Sequence, residues 1–475
     1  MAYDQQRYKY LSLDVLYAMT RSSVILLLFA FASVSGCEPS GPTTSVTISL
    51  SGLENEKLEA FNMVEDIYYE LSGARDSFNI TLHKEMILDL KVGFQHSYIH
   101  VQPGDQLTVD TLSSYPLTFG VIESPSKENQ YLVDFNAKAQ EAMDNFVLSD
   151  VTKLPPDRFL LSTDSMYADL IKLITEINND TAVSDVFKSA MEKRYTAITV
   201  NGLSFYPSLY KRHNGKEPIL PDNFFSQFEE SDKTDLDYLL FVEGRDAVSF
   251  YHSKDLDYLD FDSVNDFFEA SLQTAKEQYG NSKVTKYCNL ITLINMISRG
   301  GLDEVQELIT DYRGFAKEGY FNEKLDEAIR PWAALISGKP APDFKAVTRH
   351  GAHVQLSELK GKKVYVDVWA TWCGPCIAEI PFLKKLETEL HDENIKFVSV
   401  SIDEVKDAEK WKNFITNKNL TGLQLMAEGD WTSDIATAYN IKAIPRFLLI
   451  DEAGNIISAN ALRPSDKNVK DLLLN

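Results

Sequence analysis

The sequence predicts a multidomain chain: its last third is an α/β fold, preceded by a helical domain and a small antiparallel β module. Three changes of hydrophobic pattern predict this. Apolar and polar residues alternate over 46–120, apolar residues recur at helical spacing from about 129 to 335, and beyond 344 apolar runs alternate with helical segments. The 475 residues, 44% of them apolar and 11% aromatic, hold material for about three cores. With 70 acidic against 47 basic side chains the formal charge is −23, and so acidic a surface repels phosphates, which sets nucleic-acid binding aside. Four cysteines are too few for a disulfide-built scaffold.

At the N-terminus, Val24–Ala32 (VILLLFAFA) is too short for the roughly 20 residues of a spanning helix. Arg21 precedes it and small residues follow up to Val34-Ser35-Gly36-Cys37, the order of a secretory signal. A cysteine directly after a small-residue site resembles the bacterial lipobox, which implies cleavage before Cys37 and acylation of its thiol. Residues 1–37 are therefore read as a lipoprotein signal peptide and Cys37 as the lipidation site. Residues 1–18 are polar and Tyr-rich, and Met19 is the more usual start. Residues 38–45 (EPSGPTTS) lack apolar side chains and form a flexible tether. Export would place any thiol pair in oxidising surroundings.

Over 46–120 the alternation in Ser45–Leu53, near Ile80–Leu82 and in Met86–Val92, Tyr98–Val101 and Gln106–Val109 gives strands, with a turn at Pro103-Gly104-Asp105. This stretch is similar to β-rich modules ahead of thioredoxin-like domains in Bacteroidetes envelope proteins. The helical domain, 121–336, carries apolar stripes at Tyr131–Val147, Met166–Ile177, Val183–Ala197, Val264–Tyr279, Val284–Ile297 and Leu302–Phe315. It shows no glycine-rich phosphate loop, clustered metal ligands or nucleophile elbow, and its function is unreadable. Ser337–Phe344 (SGKPAPDF) opens the last domain, 337–475. Strands are expected at Val364–Ala370, Ile395–Ile402 and Phe447–Ile450, with helices at Ile377–Leu390 and Lys406–Asn417.

Chemistry concentrates in Trp372-Cys373-Gly374-Pro375-Cys376, where a strand ends and a helix begins, the place at which α/β sheets put their sites. Two cysteines three apart at a helix start can close a small disulfide. Pro375 suits a first turn, where a missing N–H costs nothing. Cys373, outermost and exposed, would face the orphan N–H groups and the positive end of the helix dipole, which favour the attacking thiolate. Cys376, more buried, would resolve. A structural zinc site needs a second ligand pair; Cys37 and Cys288 are isolated, and His350 and His353 lie in an expected turn.

Val366–Cys376 (VDVWATWCGPC) and Ala443–Ile450 (AIPRFLLI) resemble thioredoxin. The whole of about 338–475 resembles the TlpA/ResA branch of membrane-anchored thiol–disulfide oxidoreductases, and its PAPDF opening also matches the related peroxiredoxins. The resemblance implies a thioredoxin-like fold, with Cys373 as nucleophile and Cys376 as resolving thiol. It also implies partner proteins carrying disulfides, a membrane electron donor, a lipid-anchored place in the cell envelope or periplasm, and cytochrome-c-type biogenesis as one setting. Asp367 matches the buried acid of thioredoxin and Glu379 the acid of the CxxCxxExP pattern. Both are candidates for proton transfer with Cys376, and their joint presence departs from the branch, so the sequence does not choose between them. Pro381 matches a helix-kinking proline and Pro445 a cis-proline that presents a backbone edge to substrate; Trp372 and Pro445 are the substrate-positioning candidates. Arg446 departs from the small polar residue usual there and is expected at the surface. Neither a cofactor nor a metal is expected.

Elsewhere Cys288 reads as a buried small hydrophobe, and His96 and His100 as too far apart along a strand for one metal ion. The acids around Asp255–Asp262 and Asp403–Glu409 read as solvated surface. A reductase of protein disulfides leads. A disulfide isomerase and a partner- or nutrient-binding lipoprotein with an accessory redox domain remain open. A peroxidase would need a Pro-x-x-x-Thr/Ser-x-x-Cys setting that neither cysteine has.

Overall fold

The computed structural model describes residues 43–49, 57–72, 75–93, 95–114, 117–121, 126–148, 150–229, 232–254, 256, 264–317 and 319–475. The signal peptide, Cys37 and most of the tether lie outside the described residues. The described residues form two compact units. One draws on residues up to 260 with 269–289 and 319–320, the other on 264–268, 290–317 and 321–475.

The first unit begins with eight strands: β1 (Thr43–Ser49), β2 (Lys57–Asn62), β3 (Ile67–Ser72), β4 (Arg75–Thr81), β5 (Met86–Val92), β6 (Gln95–Val101), β7 (Gln106–Ser114) and β8 (Leu117–Val121). They make two four-stranded sheets, β4-β1-β7-β8 and β3-β2-β5-β6. Pairing is antiparallel except between β1 and β7, which run parallel. Strands β2 and β3 carry no clear alternation. In β2, Leu58 and Ala60 enter the sheet core while Phe61, of opposite parity, is also buried, so the period of two is lost. Strand β5 is likewise buried on both faces: Leu88 and Leu90 pack in the sheet core, and Ile87 packs with helical residues such as Leu132 and Phe187.

Those helices are α1 (Lys127–Leu148), α2 (Pro156–Met166), α3 (Ala168–Asn179), α4 (Asp185–Asn214) and α5 (Val242–Ser253). Helix α4 runs well past the expected Ala197 and through Pro207. Ile198, Thr199, Val200, Asn201, Gly202 and Leu203 are all buried, so no apolar stripe marks that stretch. Ser184 Oγ caps its start by accepting the Phe187 N–H, and Gly215 at φ +71° ends it. Further helices follow: α6 (Val264–Tyr279), α7 (Lys283–Gly300), α8 (Gln306–Phe315) and α9 (Gly319–Ile329).

In the second unit a seven-stranded sheet has the order β10-β9-β13-β12-β11-β14-β15. Its strands are β9 (Lys345–Thr348), β10 (His353–Gln355), β11 (Lys363–Trp369), β12 (Ile395–Ser401), β13 (Leu423–Ala427), β14 (Arg446–Ile450) and β15 (Ile456–Ser458). Helices α10 (Gly374–Glu389), α11 (Ala408–Lys418), α12 (Asp434–Ala438) and α13 (Val469–Leu474) complete it. Strand β11 is central: it runs parallel to β12 and antiparallel to β14, and all seven of its residues are buried. That explains why apolar residues fill both faces of the strand, with the buried Lys363 and Asp367 as its charged exceptions. Tyr365 of β11 packs with Leu383 and Leu386 of α10, fixing that helix across the sheet.

The Gly/Pro stretch opening this domain is paired: the Gly338 N–H donates to Ile456 O and the Ala341 N–H to Gly454 O. The unit also takes in helical residues before 337. The Ser337 N–H donates to Asp303, and Trp332 is buried beneath the Arg446 guanidinium, 5.3 Å from its ring centre. His350 lies in the expected turn, but His353 begins β10, the second strand of a hairpin too short to read as a pattern.

Candidate active site

Strand β11 stops at Trp369, and its carboxyl end delivers the chain to Cys373, the N-cap of α10. Two contacts shape the crossing. The Cys373 N–H donates to Ala370 O at 3.1 Å, and the Ile377 N–H donates to Cys373 O at 3.0 Å, closing the first helical turn. Pro375 sits within that turn, where no donor is lost. Cys373 and Cys376 are joined as a disulfide with Cα atoms 5.3 Å apart. Cys373 Sγ also accepts the Cys376 N–H at 3.1 Å, so the sulfur itself acts as the helix cap. A thiolate at this atom gains from the same N–H and from the positive helix end.

The expectation that Cys373 is exposed is corrected: the residue keeps only 5% of its surface. Its sulfur turns inward to bond Cys376 and cap the helix, while Trp372 (53% exposed), Gly374 and Pro375 remain outside. Trp372 stands beside Trp431, ring centres 6.3 Å apart.

The loop before Cys373 is tied down by Asp403. This carboxylate accepts the Thr371 N–H at 2.9 Å, the Thr371 hydroxyl at 2.7 Å and the Ser401 hydroxyl at 2.6 Å. The solvated surface read there is therefore wrong for Asp403, which is fully buried. It lies two residues past the buried strand β12, a position that could have signalled burial.

Asp367 lies on the same face of β11 as Tyr365 and Trp369, beneath α10, and is buried. Burial pushes its carboxyl up to about 8, Glu379 and Glu387 push the same way, and a hydrogen bond with Ser399 opposes them. Glu379 of α10 is held elsewhere: its two oxygens accept the Ser465 N–H at 3.0 Å and the Ser465 hydroxyl at 2.9 Å. Pro381 lies inside α10, exposed, and the helix continues past it. Ile444–Pro445 is a cis peptide bond leading into β14, whose antiparallel partner is β11.

Arg446 is not at the surface but 7% exposed, because it has turned from solvent onto Trp332, with its Nη1 donating to Ala459 O at 3.3 Å. Burial lowers its pKa to about 10. Its guanidinium is committed to those partners rather than to the disulfide.

Among the other candidates, Cys288 is buried outside any disulfide and burial pushes its thiol up. His96 pairs with Asp89, whereas His100 Nε2 bonds Glu85 at 2.8 Å. Among the described residues, Glu85, His100 and Glu128 bring three ligand atoms within 4.8 Å of one another. The same Glu85 oxygen also accepts the Ser184 hydroxyl, so its hydrogen bonding is met within the protein. Among the described residues no helix is long and apolar enough to cross a membrane.

A family model described as Redoxin matches residues 336–473. Over 140 residues the chain is 32% identical to the thiol–disulfide oxidoreductase ResA of Bacillus thuringiensis (strain Al Hakam), which covers 30% of this chain and 73% of that one. It is 35% identical over 123 residues to the thioredoxin-like protein YneN of Bacillus subtilis (strain 168), 26% and 69% of the two chains. A solved thioredoxin domain of a thiol–disulfide oxidoreductase from Bacteroides vulgatus aligns at 28% identity and TM-score 0.27, covering 29% of this chain and 95% of that one.

Proposed function

The chain belongs to the thiol–disulfide oxidoreductases of the thioredoxin fold, and from that premise we propose that it reduces disulfides of partner proteins in the bacterial cell envelope. The observation carrying this reading is the Cys373–Cys376 disulfide at the N-cap of α10, with Sγ of Cys373 on a helix N–H. In the reduced chain the Cys373 thiolate attacks one sulfur of the partner disulfide. A Cys373–partner bond forms, and the second partner sulfur leaves as a thiolate that takes a proton. Cys376 then loses its proton, attacks Cys373 Sγ and expels the first partner sulfur. Two electrons pass to the partner, and the chain ends as the disulfide described above. A dithiol donor at the membrane restores it by the reverse exchange.

Asp367 is the acid best placed to take the Cys376 proton: it lies buried under α10 with no cation bonded to it among the described residues, while both oxygens of Glu379 are engaged by Ser465. Trp372 and the backbone at Pro445 would receive the partner chain, which must pack against the exposed flanks of Cys373 to reach its sulfur. The N-terminal signal and Cys37 support a lipid anchor, and the resemblance to extracytoplasmic relatives adds to them in supporting an envelope location.

Insulin reduction with dithiothreitol tests the reading. The wild type is expected to accelerate precipitation and Cys373→Ser to give the uncatalysed rate; equal rates for the two would remove the dithiol function. Reactivation of scrambled ribonuclease, if faster than insulin reduction, would favour the isomerase. A Cys376→Ser variant should retain its partners as mixed disulfides on Cys373.

A further inference from the structure

A cavity of about 10 Å³ lies beneath α10, lined by Asp367, Trp369, Leu383, Glu387, Ser399 and Gln424 among others. That is about the space one water molecule requires. The walls are polar in a specific way. Trp369, 2% exposed, has an Nε1–H with no hydrogen-bond partner, and the buried Oε1 of Gln424 has none either. One is a donor and the other an acceptor, and a water between them satisfies both while leaving it bonds to spend on carboxyl oxygens. Two carboxyl groups share the cavity: Asp367 on the sheet side and Glu387 on the helix side. Glu387 is half-buried, accepts the Thr421 hydroxyl and lies against Gly422, where a Cβ would come within 2.6 Å of its Oε1. At φ +67° that glycine lets the backbone turn close to the carboxylate.

We propose that one internal water bridges Asp367 to Glu387, held by Trp369 Nε1–H and Gln424 Oε1, and that Glu387 is the positioning residue through which Asp367 exchanges its proton with solvent. This inference rests on the proposed dithiol reaction for its purpose, not for its geometry. In the resolving step the Cys376 proton passes to the Asp367 carboxylate. Asp367 hands a proton to the water, the water hands one to Glu387, and Glu387 releases it outside, so the water is unchanged and one proton leaves per turnover. The charged or titratable groups around Asp367 are Tyr365 on its own strand and Glu379, Lys384 and Glu387 on α10; β12 and the 420–424 segment contribute the neutral Ser399, Thr421 and Gln424.

The test uses the reduced full chain and the aryl disulfide 5,5′-dithiobis(2-nitrobenzoate). Release of the first aryl thiolate reports attack by Cys373, and release of the second reports resolution by Cys376. In Glu387→Gln the second phase at pH 7 is expected to slow by about tenfold, less than the ~10²-fold or more lost with an acid–base group itself, with the first phase as internal reference. Trp369→Phe, which removes the water's donor and keeps both carboxyls, should slow the second phase in the same direction. The infrared carboxyl band that disappears in Asp367→Asn gives the Asp367 midpoint. Glu387→Gln should bring it below about 8, because a like charge has gone. A merely electrostatic Glu387 would then speed the second phase, since more Asp367 is ionised; a relay slows it. An unchanged or faster second phase, or equal slowing in the Asp367→Asn background, overturns the relay. Loss of the dithiol reading appears separately, as equal insulin reduction by wild type and Cys373→Ser, while the infrared midpoint still reports on the cavity.

Discussion

The two compact units bury carboxylates in opposite ways. In the first, Asp89 accepts from Arg245 at 2.5 Å and pairs with His96 at 2.9 Å, while Glu243 accepts from Arg194 at 2.8 Å. Burial by itself would push both acids up. His96 and Arg245 outweigh it at Asp89, and Arg194 does so at Glu243, so both carboxyls stay below their usual range. In the second, Asp367 is buried with no cation bonded to it among the described residues, and burial, with Glu379 and Glu387 adding to it, pushes it up to about 8. The contrast separates two uses of a buried acid. Given a cation, it is a permanently charged strut joining strands to helices. Denied one, it holds a proton near neutrality and is available for proton transfer.

The largest expected effect comes from breaking the strut. Arg245→Ala leaves the buried Asp89 with His96 alone to offset its charge and should lower stability by about 3–5 kcal/mol in urea unfolding at pH 7. Replacing Arg245 and Asp89 together by apolar residues should recover most of that loss. A double variant as unstable as the single one would mean that packing, not charge, carries the contact. Because the pKa of Asp89 is depressed, its contribution is present above about pH 4 and disappears as pH falls through the folded value.

Asp367→Asn probes the other side of the comparison, with the opposite pH window. The folded chain binds this proton more tightly than the unfolded chain, so the Asp367 contribution to stability declines as pH rises from about 4 to about 8 and is level beyond. The asparagine variant should therefore be more stable than wild type by several kcal/mol at pH 9 and nearly equal to it at pH 4. Thermal unfolding at the two pH values decides; a loss of stability at both would place Asp367 among the struts.

A smaller change is expected at the anchor of the active-site loop. Asp403→Ala should cost about 1–3 kcal/mol and speed exchange of the Thr371 amide proton, which Asp403 now holds. If Thr371 remains as protected as in wild type, the loop is held by other contacts. The smallest effect is predicted for Cys288→Ala, about 1 kcal/mol. Its insulin reduction should match wild type, since the thiol is buried and its ionisation suppressed.

How much could be read in advance differs along the chain. Strands β11, β12 and β14 and helix α10 announce themselves because each is an apolar-rich stretch bounded by turn residues. Strand β2 and the second half of α4 do not, since burial on more than one face erases the period that reveals an element, and β3 is an edge strand whose described side chains are at most partly buried. The parallel pairing of β1 with β7 was equally hidden, because register between strands so far apart in sequence, as Ser45 opposite Gln106, leaves no local mark.

The sequence by itself determined the reactive pair. A strand end, an N-cap cysteine, a proline in the first turn and a second cysteine three residues on are local features, and local backbone geometry brings the two sulfurs together. Tertiary structure alone decided what surrounds them. Thr371 meets Asp403 across 32 residues of chain and Glu379 meets Ser465 across 86. Arg446 turns inward onto Trp332, and Asp367 shares a water-sized cavity with Glu387. Burial and charge pairing depend on which distant segments arrive in the same place, and they set whether an acid keeps its proton.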